Sequence, residues 1–330
     1  MAATWPGDLT HLLCDVPSAA KEGWTMTRDD MAALTARRLD AMNRHDVVAQ
    51  SSMHAHDCSI DSPSAGGRLK GRAAIDEVNR AWVRGFPDLA FRTDDLLIDG
   101  DRVAWTVTAA GTDTGGFMGL PPTGKPFRLP IVVLSTVTDG FVVRERRIYD
   151  FTGMLIQIGI LKATSPGGLP PEVRAMPTAS DGPADRGTTS ATREQIAAML
   201  SRRQQAWASG DVEEISRQHA ADCVMDSHLA GRVEGSSAIA HVYEKWFTAF
   251  PDSRLAREEL IIDGGRIAEV ATLSGTDTGG FLGLPATRKP FQLPSVWFYT
   301  LAELQFAYVR PIYDFTGMLV QIGVLKAKPV

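Results

Sequence analysis

The sequence predicts an α+β protein in which one domain is written twice, each copy a curved antiparallel sheet wrapped over N-terminal helices. Three observations carry this: long-range self-similarity, helices preceding a run of strands in each copy, and hairpin signals between those strands. Residues 111–130 (GTDTGGFMGLPPTGKPFRLP) return at 275–294 (GTDTGGFLGLPATRKPFQLP), with sixteen of twenty positions identical at an offset of 164. The stretch DFTGMLIQIGILKA at 150–163 returns at 314–327 with two differences. Upstream the offset is 165, where His54-Ala55-His56-Asp57-Cys58 answers His219-Ala220-Ala221-Asp222-Cys223. A one-residue length difference therefore falls between Asp61 and Gly71. The period is too long for a solenoid unit, so each copy is a whole domain.

The elements follow in chain order. Residues 1–25 match nothing in the second copy and are expected to form an N-terminal arm. The first copy is assigned to 26–163. Thr27 is a plausible N-cap for a helix running to about Arg44, with Met31, Leu34 and Leu39 near helical spacing. A short helix is expected over 46–54 and a third over 71–84, stopped by Phe86-Pro87-Asp88. Strands are expected at Phe91–Ile98, Val103–Ala109, Phe127–Thr138 and Phe141–Tyr149, with Asp99-Gly100 and Asp139-Gly140 as hairpin turns. Residues 164–190, rich in Pro, Gly, Ser and Thr, are read as a linker, and 191–330 as the second copy. The linker is long enough for the copies to dock as an intramolecular pseudo-dimer.

Composition excludes several classes. The chain has 330 residues, 44% of them apolar, and a net charge of -5. No basic footprint suggests nucleic acid, and no run approaches the roughly 18 apolar residues that span a bilayer. The first residues show no signal-peptide pattern. Three cysteines without CxxC spacing argue against a disulfide framework or structural zinc, and a cytoplasmic location is expected. No structural metal, nucleic-acid or membrane partner is expected.

The copies also differ. Trp105 corresponds to Glu269, Gly124 to Arg288 and Arg147 to Pro311. Strand alternation puts Trp105 on the face of Val103, Val107 and Ala109. Glu269 is therefore expected as a buried carboxylate with a raised pKa or a partner, and both positions as pocket residues. Trp82 and Trp246, on equivalent helices, suit either a pocket wall or core packing. His54 and His219 read as helix-end caps or surface groups, and Cys58 and Cys223 as core fillers.

The run GTDTGGFMGLPPTGK, followed by a strand hairpin and YDFTGMLIQIG, resembles the SnoaL-like polyketide cyclase family of the nuclear-transport-factor-2-like (NTF2-like), cone-shaped superfamily. The resemblance implies a small-molecule, polyketide-like substrate as the partner and a metal- and cofactor-independent, aldol-type ring closure by acid–base catalysis. It implies Asp150 and Asp314 as the proton carriers, given an apolar pocket that raises their pKa. Asp113 and Asp277 stand where many relatives carry His, and with Phe117 and Phe281 are expected at the substrate. Arg146 and Arg310 replace a frequent Trp; on the same strand face as the Asp, a guanidinium would lower its pKa. Asp61 and Asp226 sit where ketosteroid isomerases and epoxide-opening cyclases place a base. An epoxide-opening cyclase or hydrolase is thus an alternative, and a non-catalytic carrier of an apolar ligand is another.

Overall fold

The computed structural model describes residues 26–164 and 189–329. The expected arm and most of the expected linker lie outside the described residues. The first copy runs α1 (Arg28–Asn43), α2 (Val47–Ser52), β1 (His54–Ser62), β2 (Gly67–Lys70), α3 (Arg72–Gly85), β3 (Ala90–Asp99), β4 (Arg102–Thr112), β5 (Pro126–Thr138), β6 (Phe141–Ile148), α4 (Phe151–Gln157) and β7 (Leu161–Thr164). The second repeats it as α5 (Arg193–Ser209), α6 (Val212–Arg217), β8 (His219–Ser227), β9 (Gly231–Glu234), α7 (Ser236–Ala249), β10 (Arg254–Asp263), β11 (Arg266–Thr276), β12 (Pro290–Ala302), β13 (Gln305–Tyr313), α8 (Phe315–Gln321) and β14 (Lys326–Pro329). Each copy is thus an NTF2-like α+β cone.

Local chemistry sets the boundaries. Thr27 caps α1 in a capping box with Asp30, and Thr192 with Gln195 does the same for α5, which satisfies the first free N–H groups of each helix. The β5–β6 turn puts Asp139 and Gly140 at positive φ, a conformation that Asp and Gly tolerate.

The first sheet has the order β2-β1-β6-β5-β4-β3, and the second repeats it as β9-β8-β13-β12-β11-β10. β1 pairs with β6 in parallel, and β8 with β13 likewise. The sheets are therefore mixed, where an all-antiparallel sheet was expected. The hairpin signals govern only strands that are neighbours in sequence. Between β1 and β6 lie α3 and four strands, and no turn dictates their relative direction. Each sheet curls over its own helices, and the two cores are separate clusters.

The outer faces of the sheets pack together. Leu97, Leu134 and Ile148 meet Ile261, Val296 and Ile312 in a third apolar cluster. Reciprocal ion pairs flank it: Arg28 to Asp263 at 2.7 Å and Arg193 to Asp99 at 2.8 Å. Asp263 also accepts from the Ile98 N–H, and Asp99 from the Ile262 N–H. β7 and β14 pair antiparallel across the copies. Each contact recurs with the partners exchanged, which is the signature of a two-fold, isologous interface. No helix among the described residues is long and apolar enough to cross a membrane.

Candidate functional site

Strand alternation decides which side chains reach the interior of each cone. On β6 and its continuation, Glu145, Arg147 and Tyr149 point inward, while Arg146, Ile148 and Asp150 point to the joint between the copies. The interior of the first cone holds a partly open cavity. Its walls are apolar (Trp82, Phe91, Val107, Ile131, Val133), with Gln50, Asn79 and Arg147 as its polar groups.

Arg147 is held from behind. Its Nε donates to Glu145 Oε1 at 2.6 Å and its Nη2 to Asn79 Oδ1 at 3.1 Å. Glu145 is itself fully enclosed, bonded to Arg38 and, through its second oxygen, to His54 Nε2 at 3.1 Å. Burial opposes its ionisation, yet the Arg147 and Arg38 charges hold its carboxyl well below the usual range. Arg38 also donates to Ser135 Oγ at 3.0 Å. His54 and His219 do cap helix ends, with Nδ1 at the carbonyls of Gln50 and Ile215, but they lie buried in the cone interiors rather than at the surface. A helix-end position close to Asp57 and Asp222 is equally what a surface group shows, so the sequence does not separate the two.

The second cone is built from the same frame with different contents. Met42, Asn79, Val133 and Arg147 correspond to Trp207, Tyr243, Trp297 and Pro311, and its cavity is lined almost wholly by apolar and aromatic groups. Arg203 takes the place of Arg38, and Val309 the place of Glu145. The Arg203 charge lies 5.1–5.9 Å from the ring centres of Tyr243, Trp297, Tyr299 and Phe306. Glu269 is buried with partners: it accepts from Arg257 Nε at 2.7 Å and from the Tyr299 hydroxyl at 2.8 Å. Trp105, its counterpart, is packed in the first core and donates to Thr93. Burial and the Arg203 charge push His219 down to about 3, so it stays neutral.

Trp82 and Trp246 line the two cavities; the other expected site residues lie elsewhere. Asp150 and Asp314 are not among the cavity-lining residues. Asp150 caps α4 through the Gly153 N–H at 2.8 Å and accepts from the Thr316 hydroxyl at 2.7 Å. Asp314 does the same with Gly317 and with Thr152 of the first copy. Burial and the facing Asp314 charge raise Asp150 well above an ordinary carboxyl. The expected pKa direction is present, but at the joint, because the alternation that turns Tyr149 inward turns Asp150 outward.

Asp61 and Asp226 face away from the cones, since Ile60 and Met225 next to them fill the cores. Asp61 lies 3.9 Å from Arg146, and Asp226 accepts from the Tyr308 hydroxyl at 2.8 Å. Arg146 reaches across to Glu258 at 2.6 Å, and Arg310 lies on the same outer face near Asp95. Asp113 and Asp277 are fully buried loop braces. Asp113 accepts from the Gly116 N–H and from the N–H and hydroxyl of Thr123, and Asp277 matches it with Gly280 and Thr287. Phe117 and Phe281 pack edge-on against Trp82 and Trp246 beneath these loops. These residues give the recurring motif its structural role. Among the described residues no group of His, Cys, Asp and Glu could hold a metal.

The profile of the SnoaL-like polyketide cyclase family matches residues 33–158 and again 197–322. Among solved structures the chain is similar to IdmH of Streptomyces antibioticus, provisionally described as a polyketide cyclase. Identity there is 31%, covering 39% of this chain and 98% of that one, with a TM-score of 0.35. AclR of Streptomyces galilaeus, provisionally described as a hydroxylase, is 25% identical over 40% of this chain and 87% of its own, with a TM-score of 0.37. A protein of Jannaschia sp. CCS1, provisionally described as a SnoaL-like polyketide cyclase, is 20% identical over 41% and 97%, with a TM-score of 0.38. No curated protein matches. With its profile spanning most of the sequence in two tandem segments, the chain belongs to the SnoaL-like polyketide cyclase family.

Proposed function

We propose that the protein is a cofactor-independent cyclase or isomerase acting on a small polycarbonyl molecule inside the first cone. The observation that carries this reading is Arg147, a guanidinium fixed on the wall of a mostly apolar cavity by Glu145 and Asn79. A donor set pre-oriented in a water-poor site stabilises charge that develops on a carbonyl oxygen, and needs no reorganisation as the reaction proceeds. The chemistry is an aldol-type ring closure: a carbon flanked by carbonyls attacks a distant carbonyl, whose oxygen then takes a proton. Catalysis by Asp150 or Asp314 is not part of this reading, and neither is epoxide opening by Asp61 or Asp226. Both pairs face away from the cavities.

A carrier role fits the second cone, where Pro311 and Tyr243 replace Arg147 and Asn79 around an apolar, ring-lined space. The test is turnover of a phenyl-capped β-dione tethered to a third ketone placed to close a six-membered ring, followed by NMR. Ring closure faster than in buffer is expected. Saturable binding without any acceleration would replace the enzyme by a carrier.

A further inference from the structure

The cavity of the first cone has no group among its lining residues suited to remove a proton from carbon. Its polar members are Gln50, Asn79 and Arg147, together with the ring of Tyr149. The Tyr149 hydroxyl is buried towards Ser62 and Ser64, and burial raises its pKa. The nearest carboxylate, Glu145, is committed to Arg38, Arg147 and His54. An enzyme of this kind otherwise places a base at the substrate.

The charges point the same way. Two guanidiniums, Arg38 and Arg147, surround one carboxylate in the interior, and His54 adds a ring nitrogen that faces that carboxylate rather than another anion. One positive charge is left over on largely buried groups, the Arg147 side chain being 15% exposed, and an anion in the cavity would balance it. Arg147 uses Nε and Nη2 on Glu145 and Asn79, which leaves its other N–H groups for the cavity. Because arginine only donates, the Asn79 amide must turn its oxygen to Arg147, and its NH₂ stays available as a further donor. Donors therefore predominate at the polar end, beside an unbalanced positive charge.

We propose that the first cone binds its substrate already ionised, as the enolate of a β-dicarbonyl compound seated on Arg147, so that no protein base is needed. This rests on the first cone being the reactive chamber, as proposed above. The proton leaves the substrate for solvent before or during binding. The enolate carbon then forms a bond to the distant carbonyl carbon, that C=O π bond breaks, and the resulting alkoxide takes a proton from water. Atoms and charge balance without an oxidant or reductant. The second cone also buries a guanidinium, Arg203, but it is enclosed by the rings of Tyr243, Trp297, Tyr299 and Phe306 and does not line the cavity. With Pro311 in place of Arg147, that cone presents no guanidinium to the enolate.

The test uses benzoylacetone, whose enolate absorbs at longer wavelength than its neutral forms, titrated with pH in the presence of saturating protein. In the wild type the enolate band is expected to appear about one pH unit or more below its position in buffer, equivalent to at least tenfold tighter binding of the anion. One site per chain is expected. In Arg147→Met the displacement disappears, while Arg147→Lys, which keeps the charge without the fork, retains part of it. Glu145 keeps Arg38 and His54 in the Met variant, so the fold is retained; should it not be, the Lys variant carries the test. An unshifted or upward-shifted transition, no binding at millimolar probe, two equal sites per chain, or a displacement that survives in Arg147→Met would each overturn the proposal. A shifted transition without ring closure of the tethered triketone keeps the enolate site and removes the enzymatic reading. Ring closure with an unshifted transition does the reverse.

Discussion

Replacing Asp150 by Asn and by Ala separates a joint from a catalytic acid. Its carboxyl caps α4 and crosses to Thr316, while Asp314 makes the mirror contacts to Gly317 and Thr152. Asp150→Ala removes the N-cap, about 1 kcal/mol, and the bond to Thr316, about another 0.5–1.5 kcal/mol. The sum, about 2 kcal/mol, should lower Tm by about 4–8 °C for a domain of this size. Asp150→Asn keeps an oxygen for Gly153 and offers an amide to Asp314, so its Tm at neutral pH should equal or exceed that of the wild type.

The sign of the pH dependence follows from the raised pKa of Asp150. The folded protein holds a proton that the unfolded chain releases near the ordinary value of 3.8. This contribution to stability is full below that pH and is lost as pH rises through the folded pKa. The wild type should therefore lose stability upward from about pH 4 at this site, and Asp150→Asn should lack that component. Thermal unfolding by calorimetry across pH 4–8, with turnover of the triketone measured alongside, reads both. Abolished turnover in Asp150→Asn with unchanged stability would refute the reasoning and return Asp150 to the role of proton carrier.

Three further outcomes are expected. Glu145→Gln leaves Arg38 and Arg147 without their buried counter-charge and should cost about 3–5 kcal/mol, read from the urea midpoint. Arg28→Ala removes a pair whose Arg side is 55% exposed, and should change stability by less than about 1 kcal/mol in the same assay. Gly153→Ala would put a Cβ 2.5 Å from Asp150 Oδ2. That carboxylate is pinned by Thr316, so a loss of about 1–3 kcal/mol is expected by thermal melt.

Much of the fold could be read from the sequence because its signals are local. Thr27 marks the start of α1, and Asp139-Gly140 marks the β5–β6 hairpin. The parallel β1–β6 pairing had no such signal, since strand partners distant in sequence leave no turn between them. The site was less legible for a related reason. Alternation turns Trp105 and Glu269 inward, and both do face inward. Carried back from Tyr149 along β6, it would have put Glu145 and Arg147 inside and Arg146 and Asp150 outside. Arg38 was visible as a charge within the apolar stripe of α1, among Met31, Leu34 and Ala41. Its repetition as Arg203 marked it as structural to both copies. The replacement of Arg147 by Pro311 was seen in the sequence; its meaning needed the cavity. Conversely, identity between copies drew attention to Asp113, Phe117 and Asp150, which the two copies share because loops and joint are shared. The site differs between the copies, and repetition does not reveal it.

The claim that chemistry belongs to the first cone is tested most directly by exchanging one equivalent residue between the cavities. Val133→Trp gives the first cone the ring that fills the second, and Trp297→Val does the opposite. Turnover of the tethered triketone by the two variants is the measurement. The account predicts that Val133→Trp abolishes ring closure and Trp297→Val leaves it near the wild-type rate. Loss of turnover in Trp297→Val with full activity in Val133→Trp would contradict it.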